Sequence, residues 1–212
     1  MTAPIDHIAA RYERVGSLNV AILVFPDVEV LDFAGPFEVF STASRMHRRA
    51  AGSDLFRVVL VADEPRVVLA RGGLPVTAAH GMRAHPDIDV LVVPGGVVSA
   101  EQKRPDVVRW IAATAARARL TASVCTGALL LAAAGLLDGR RATTHWEDTD
   151  ELRRDFPAVR VVEGPRWIDE GALVTSAGIS AGIDMSLHLV RRLATAELAV
   201  RTARQMDFAW IA

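Results

Sequence analysis

One cysteine, Cys125, stands in a chain of 212 residues, and its neighbours decide what a lone thiol can do there. It follows the apolar run from Leu120 to Val124 and precedes Thr126, Gly127 and an Ala/Leu-rich stretch ending at Gly135. A cysteine where a strand gives way to a helix sits at the positive end of the helix dipole. That position favours thiolate and can draw a thiol pKa to roughly 3.5–7.5. The pattern predicts a nucleophile elbow at Cys125, a sharp turn that pushes the sulfur outward. The competing role for a lone cysteine is that of a small buried hydrophobe.

Other chemistry is excluded or narrowed by type and spacing. A single cysteine allows no intramolecular disulfide and no multi-thiolate metal site. The six histidines, at 7, 47, 80, 85, 145 and 188, show no metal-ligating spacing, so no metal is expected. No G-x-G-x-x-G follows a strand, and no cofactor is expected. Lys103 is the only lysine among 24 basic residues, and no phosphate loop surrounds it.

Four further segments fall just after predicted strands. Asp27, Glu29 and Asp32 follow the first one. Asp32 directly precedes a helical pattern, so it reads either as an N-cap or as a proton donor or acceptor beside the thiol. Pro94-Gly95-Gly96 is either a backbone cradle facing a ligand or a tight turn. His145 lies twenty residues past Cys125, about one helix plus one strand, and a parallel strand would return it to the same sheet edge; it could equally be a hydrogen-bonded structural histidine. Gly178-Ile179-Ser180-Ala181-Gly182 matches G-x-S-x-G. The hydrolase fold that uses this motif places its acid and histidine after the serine. Here the only later histidine is His188, eight residues on in the same helical pattern, ~12 Å from Ser180 at 1.5 Å per residue. The loop therefore reads as a wall of the site, with Asp184 near a helix start.

Positioning these residues requires strands alternating with helices. Asn19–Phe25, Phe56–Ala62, Val90–Val93 and Leu120–Val124 are short, branched and apolar, as suits strands buried on both faces of a parallel sheet. Val159–Glu163 and Ala172–Thr175 are later strand candidates. Val67–Ala70 and Leu74–Ala78 read as a hairpin turning at Gly72-Gly73. Helical patterns cover Phe33–Met46, Asp106–Ala118, Thr126–Ala134, Ala181–Leu193 and Ala196–Phe208. The expected fold is α/β: a doubly wound, mostly parallel sheet with helices on both faces. Residues 1–18 read as an N-terminal arm and 19–212 as one domain. With 51% hydrophobic residues and a net charge of −1, neither a nucleic-acid nor a membrane surface is expected. The first residues lack the apolar core of a signal peptide, and a cytoplasmic protein is expected.

Together these segments resemble the ThiJ/PfpI superfamily, from about Asn19 to Phe208. The most specific stretch is Ser123–Trp146. Leu31-Asp32-Phe33-Ala34-Gly35-Pro36, Pro94-Gly95-Gly96 and Ser176-Ala177-Gly178 running into Ala181-Gly182-Ile183-Asp184 add to it. The resemblance implies a flavodoxin-like, class I glutamine-amidotransferase-like fold. Within the superfamily it is nearest to isonitrile hydratases and to the sensor domains of AraC-type regulators. It implies Cys125 as nucleophile, Asp32 as its acidic partner and Thr126 as the catalytic neighbour. Gly95, Gly96, His145, Gly178 and Ile179 would bind substrate or a developing charge. Protease-like and deglycase-like members place His directly after Cys, where this chain has Thr126. The implied activity is addition of water to an isonitrile through a cysteine thioimidate. Glyoxalase or deglycase action on reactive carbonyls, and a non-catalytic small-molecule or redox sensor, are the alternatives. A small-molecule substrate and a homodimer are implied as partners.

Overall fold

The computed structural model describes residues 16–210. Most of the expected N-terminal arm therefore lies outside the described residues. The chain opens with β1 (Leu18–Leu23), α1 (Val30–Ala51) and β2 (Phe56–Ala62). A hairpin of β3 (Arg66–Leu69) and β4 (Pro75–Ala78) comes next, then β5 (His80–Gly81) and β6 (Val90–Val93). The central part holds α2 (Ser99–Gln102), α3 (Pro105–Ala115), β7 (Leu120–Val124), α4 (Gly127–Ala133), β8 (Arg141–Ala142), α5 (Thr149–Asp155) and β9 (Arg160–Val161). The last part is β10 (Trp167–Asp169), β11 (Leu173–Ser176), α6 (Ala181–Leu193) and α7 (Ala196–Gln205).

Seven strands form one sheet in the order β10-β11-β7-β6-β1-β2-β5. Every pairing in it is parallel except β10 with β11, so the sheet is mostly parallel, as expected. The hydrophobic reading of the centre follows directly. All four residues of β6 and all five of β7 are buried, and helices pack on both sides. Helices α1, α6 and α7 pack on one another, while α2 to α5 form a second group. Gly35 permits the first of these contacts, since a Cβ there would stand 3.0 Å from Ile183 Cγ1.

Three expectations are corrected. The Val159–Glu163 candidate contributes only β9, which pairs with β8 in a separate two-stranded sheet. His145 therefore returns to the sheet edge through a loop rather than along a parallel strand of the main sheet. The antiparallel edge strand β10 was not read from the sequence, because Trp167-Ile168-Asp169 is too short and polar to stand out. Asp32 is not an N-cap: α1 begins at Val30, and Glu29 holds the cap position without a side-chain bond.

Candidate active site

The carboxyl ends of β1, β6, β7 and β11 converge on Cys125. β7 ends at Val124 and α4 begins at Gly127, so the chain must reverse within two residues. Cys125 takes up the reversal with φ 56°, a left-handed conformation rare for a non-glycine residue. Of the four described non-glycine residues with positive φ, Asp27, Cys125 and Ile179 all border this centre. Each such residue stores about 1–3 kcal/mol, and strain of that kind gathers where a site needs it. Ser180, by contrast, has an ordinary φ of −65° at the start of α6 and accepts a hydrogen bond from Arg166 Nη2 at 3.2 Å. The strained corner is at the cysteine.

Asp32 stands in the first turn of α1 and is wholly buried. Its Oδ2 accepts the Gly95 N–H at 3.1 Å. Its Oδ1 has no hydrogen bond of ordinary geometry, yet the carboxyl feels both the Cys125 thiol and the Ile179 N–H as hydrogen-bonding groups. Burial, aided by the charge of Glu29, raises the Asp32 pKa from 3.8 to about 7, although the Gly95 N–H acts against it.

The thiol behaves otherwise than its position suggested. Cys125 is 7% exposed. Burial, then the charge of Asp32 and at longer range that of Asp148, push its pKa up to about 12. The Thr126 N–H acts the other way and draws it down. The expected resting thiolate is thus corrected to a thiol. Loss of water around the sulfur, with carboxyls alongside it, outweighs the dipole of the seven-residue α4.

The Pro94-Gly95-Gly96 turn is a buttress. The Gly96 N–H donates to Thr126 Oγ1 at 2.9 Å, and that hydroxyl donates back to the Gly96 carbonyl at 3.0 Å. The Gly95 N–H is occupied by Asp32. Neither N–H faces open space, which corrects the expectation that Gly96 meets a developing charge. The Thr126 N–H is the backbone group that favours the ionised sulfur. Glycine is required at position 95, because a Cβ would lie 2.5 Å from Thr126 Oγ1 and 2.9 Å from Asp32 Oδ2.

His145 does reach the site. A Cβ on Gly178 would meet its Cδ2 at 2.0 Å, so the edge of the imidazole lies against Gly178. Asp148 Oδ2 is 3.4 Å from His145 Nδ1. The adjacent Thr144 hydroxyl donates to the Cys125 carbonyl at 2.8 Å, tying this loop to the corner. Sequence reasoning missed Asp148, whose only sign was an acid three residues past a histidine. It also missed Arg166, whose Nε donates to the buried Asp184 Oδ2 at 2.7 Å; nothing in its local sequence marks it. A cavity of about 280 Å³ lined by His47, Leu55, Ala194 and Leu198 lies at the far end of α1 and shares no residue with this centre. Among the described residues no cluster of three His, Cys, Asp or Glu side chains could hold a metal, and no helix is long and apolar enough to cross a membrane.

A buried Cys–Asp pair on a strand-to-helix corner of a parallel sheet can now be set against known proteins. The model of the DJ-1/PfpI family matches residues 18–192. The chain belongs to that family. It is 34% identical to the isonitrile hydratase of Pseudomonas putida, over 91% of this chain and 79% of that protein. It is 32% identical to the HTH-type transcriptional regulator CdhR of Pseudomonas aeruginosa, over 86% of this chain but only 53% of the regulator. The chain thus spans about half the length of that regulator. Among solved structures, a ThiJ/PfpI family protein from Pseudomonas syringae superposes with a TM-score of 0.81 at 30% identity, covering 93% of this chain and 77% of that one. Drosophila melanogaster DJ-1beta shares the fold, with a TM-score of 0.78 at 18% identity, covering 92% and 100%.

Proposed function

We propose that this member of the DJ-1/PfpI family hydrates an isonitrile to an N-substituted formamide, with Cys125 as nucleophile and Asp32 as the group that carries its proton. The observation behind this reading is the burial of Asp32 against the Cys125 thiol. Its pKa of about 7 lets it both accept and return a proton near neutral pH. The resemblance to an isonitrile hydratase over most of both chains supports the substrate class.

The order of proton movement follows from the two pKa values. Above pH 7 the pair holds a thiol and a carboxylate. As sulfur bonds to the terminal isonitrile carbon, the S–H proton passes to Asp32. The carboxylic acid so formed delivers the same proton to that carbon. The product is a thioimidate, R–N=CH–S, on Cys125. Water then adds to this carbon, the C–S bond breaks, and sulfur regains a proton as R–NH–CHO leaves. Sulfur and proton add to one carbon, which suits a thiol and carboxyl held side by side in a dry corner. Thr126 N–H stabilises charge on the sulfur as it is released. Thr126 Oγ1, engaged twice with Gly96, holds the corner in place.

A bulky alkyl isonitrile and methylglyoxal, offered side by side to the purified protein, test the reading. Formamide should appear in the NMR spectrum, and a Cys125 adduct of the isonitrile's mass should be trapped by acid quenching. Consumption of methylglyoxal with no formamide would instead establish carbonyl chemistry. A peroxide sensor is disfavoured by the raised thiol, since such sensors depend on a low pKa and accessible sulfur.

A further inference from the structure

Three loops are hydrogen-bonded to the nucleophile corner itself. The Cys125 carbonyl accepts the Thr144 hydroxyl at 2.8 Å. The Cys125 N–H donates to the carbonyls of Ser176 at 3.2 Å and Ala177 at 3.3 Å. Thr126 Oγ1 is bonded to the Gly96 N–H at 2.9 Å and to the Gly96 carbonyl at 3.0 Å. Each loop carries an exposed apolar side chain one or two residues beyond its anchor. Trp146, two past Thr144, is 75% exposed; Ile179, two past Ala177, is 39% exposed; Val97, next to Gly96, is 49% exposed. Two residues of chain span at most ~7 Å, so these side chains start close to the corner. Further bonds hold them. The Trp146 carbonyl accepts the Thr149 hydroxyl at 3.1 Å, and the Val97 N–H donates to the Asp27 carbonyl at 3.2 Å. The Trp146 and His145 ring centroids lie 5.7 Å apart, and the His145 edge meets Gly178, the neighbour of Ile179. Scattered exposed hydrophobic residues need no explanation, whereas apolar side chains gathered around one concave reactive centre mark a ligand site.

We propose that Trp146, with Ile179 and Val97, forms an apolar collar for the organic substituent of the substrate, and that Trp146 selects bulky apolar isonitriles over small ones. Cys125 is 7% exposed, so only the narrow end of a reactant reaches the sulfur. An isonitrile is linear through its carbon, its nitrogen and the first atom of its substituent. With the terminal carbon at the sulfur, the substituent points straight out of the corner to where the three anchored loops end. An apolar group there covers apolar surface that water otherwise wets, and a ring gains further from the indole face. The choice of isonitriles rests on the hydration reading above; the collar rests on the anchored loops.

Two measurements on the full chain test it. In the first, kcat/KM is compared for benzyl isonitrile and methyl isonitrile. The parent should prefer the benzyl compound by roughly tenfold or more, and Trp146→Ala should lose most of that preference while methyl isonitrile turns over within about threefold of the parental rate. The exposed side chain makes this substitution safe for the fold. An unchanged preference in Trp146→Ala overturns the proposal. The second measurement needs no turnover. Cys125→Ala is titrated with N-benzylformamide and N-methylformamide while the indole N–H signals are followed by nitrogen-15 NMR, with Trp146→Phe assigning the one of interest. The benzyl compound should shift the Trp146 signal and bind roughly tenfold tighter than the methyl one. A Trp146 signal that stays still overturns the proposal. So does a parent dimer that Trp146→Ala converts to monomer in sedimentation, since a second copy would then cover the collar. A Trp146 shift in a protein that yields no formamide from either isonitrile would sink the hydration reading and leave the collar standing.

Discussion

Replacing Asp32 with Asn should make the protein more stable as pH rises. The carboxyl is wholly buried, and its pKa lies at about 7 in the folded chain against an ordinary 3.8. The difference, 7 − 3.8, is about 3 pH units, which at ~1.4 kcal/mol each makes an ionised Asp32 cost the fold about 4 kcal/mol. The sign follows from proton binding. The folded state holds this proton more tightly, so the group's contribution is favourable below pH 4 and is lost as pH climbs through 7. Asn is neutral throughout, and its amide oxygen can still accept the Gly95 N–H. Integrated over the titration, the advantage of the variant should grow by about 2–3 kcal/mol between pH 5 and pH 8. Urea unfolding of both proteins at pH 5, 6, 7 and 8 measures the gap, since every other titrating group is shared. A gap constant with pH would refute the reasoning, because Asp32 would then be ionised as easily in the folded chain as in the unfolded one. The same substitution removes the proton carrier, and turnover should fall by roughly 10²-fold or more.

Further outcomes follow from the same geometry. Cys125→Ala should abolish both formamide production and the trapped adduct; parental turnover would exclude a covalent step. The rate of hydration by the parent should rise through pH 7 as Asp32 ionises, with no fall before pH 10, because the Cys125 thiol is held up to about 12; a maximum below pH 6 would reverse the assigned roles. Thr126→Ser keeps both bonds to Gly96 and should unfold like the parent, whereas Thr126→Val strands the Gly96 groups and should cost about 1–3 kcal/mol in urea unfolding. Gly95→Ala, which drives a Cβ between Thr126 and Asp32, should cost a similar amount and lower turnover; unchanged unfolding would show that the corner can give way.

Much of this molecule was legible in its residues. The branched runs Phe56–Ala62, Val90–Val93 and Leu120–Val124 form strands with those bounds, because strands buried on both faces carry their signal in unbroken apolar stretches. The corner at Cys125 was marked by an apolar run ending one residue before it and a helical pattern starting one after, and the helix itself begins at Gly127. Asp32, Thr126, His145 and the 178–179 loop were all singled out, and the fold brings them to one sheet edge. What only the tertiary structure decided is electrostatic. Local sequence placed Cys125 at the positive end of a helix and so favoured thiolate. Enclosure by four strand ends, with two carboxyls nearby, makes it a thiol and lifts Asp32 to about 7. Whether Gly96 faced a ligand or Thr126, and whether Asp32 capped its helix, likewise depended on groups thirty and sixty-three residues away. A charge's ionisation is set by the water and partners removed from it across the whole fold, and spacing along the chain does not record them.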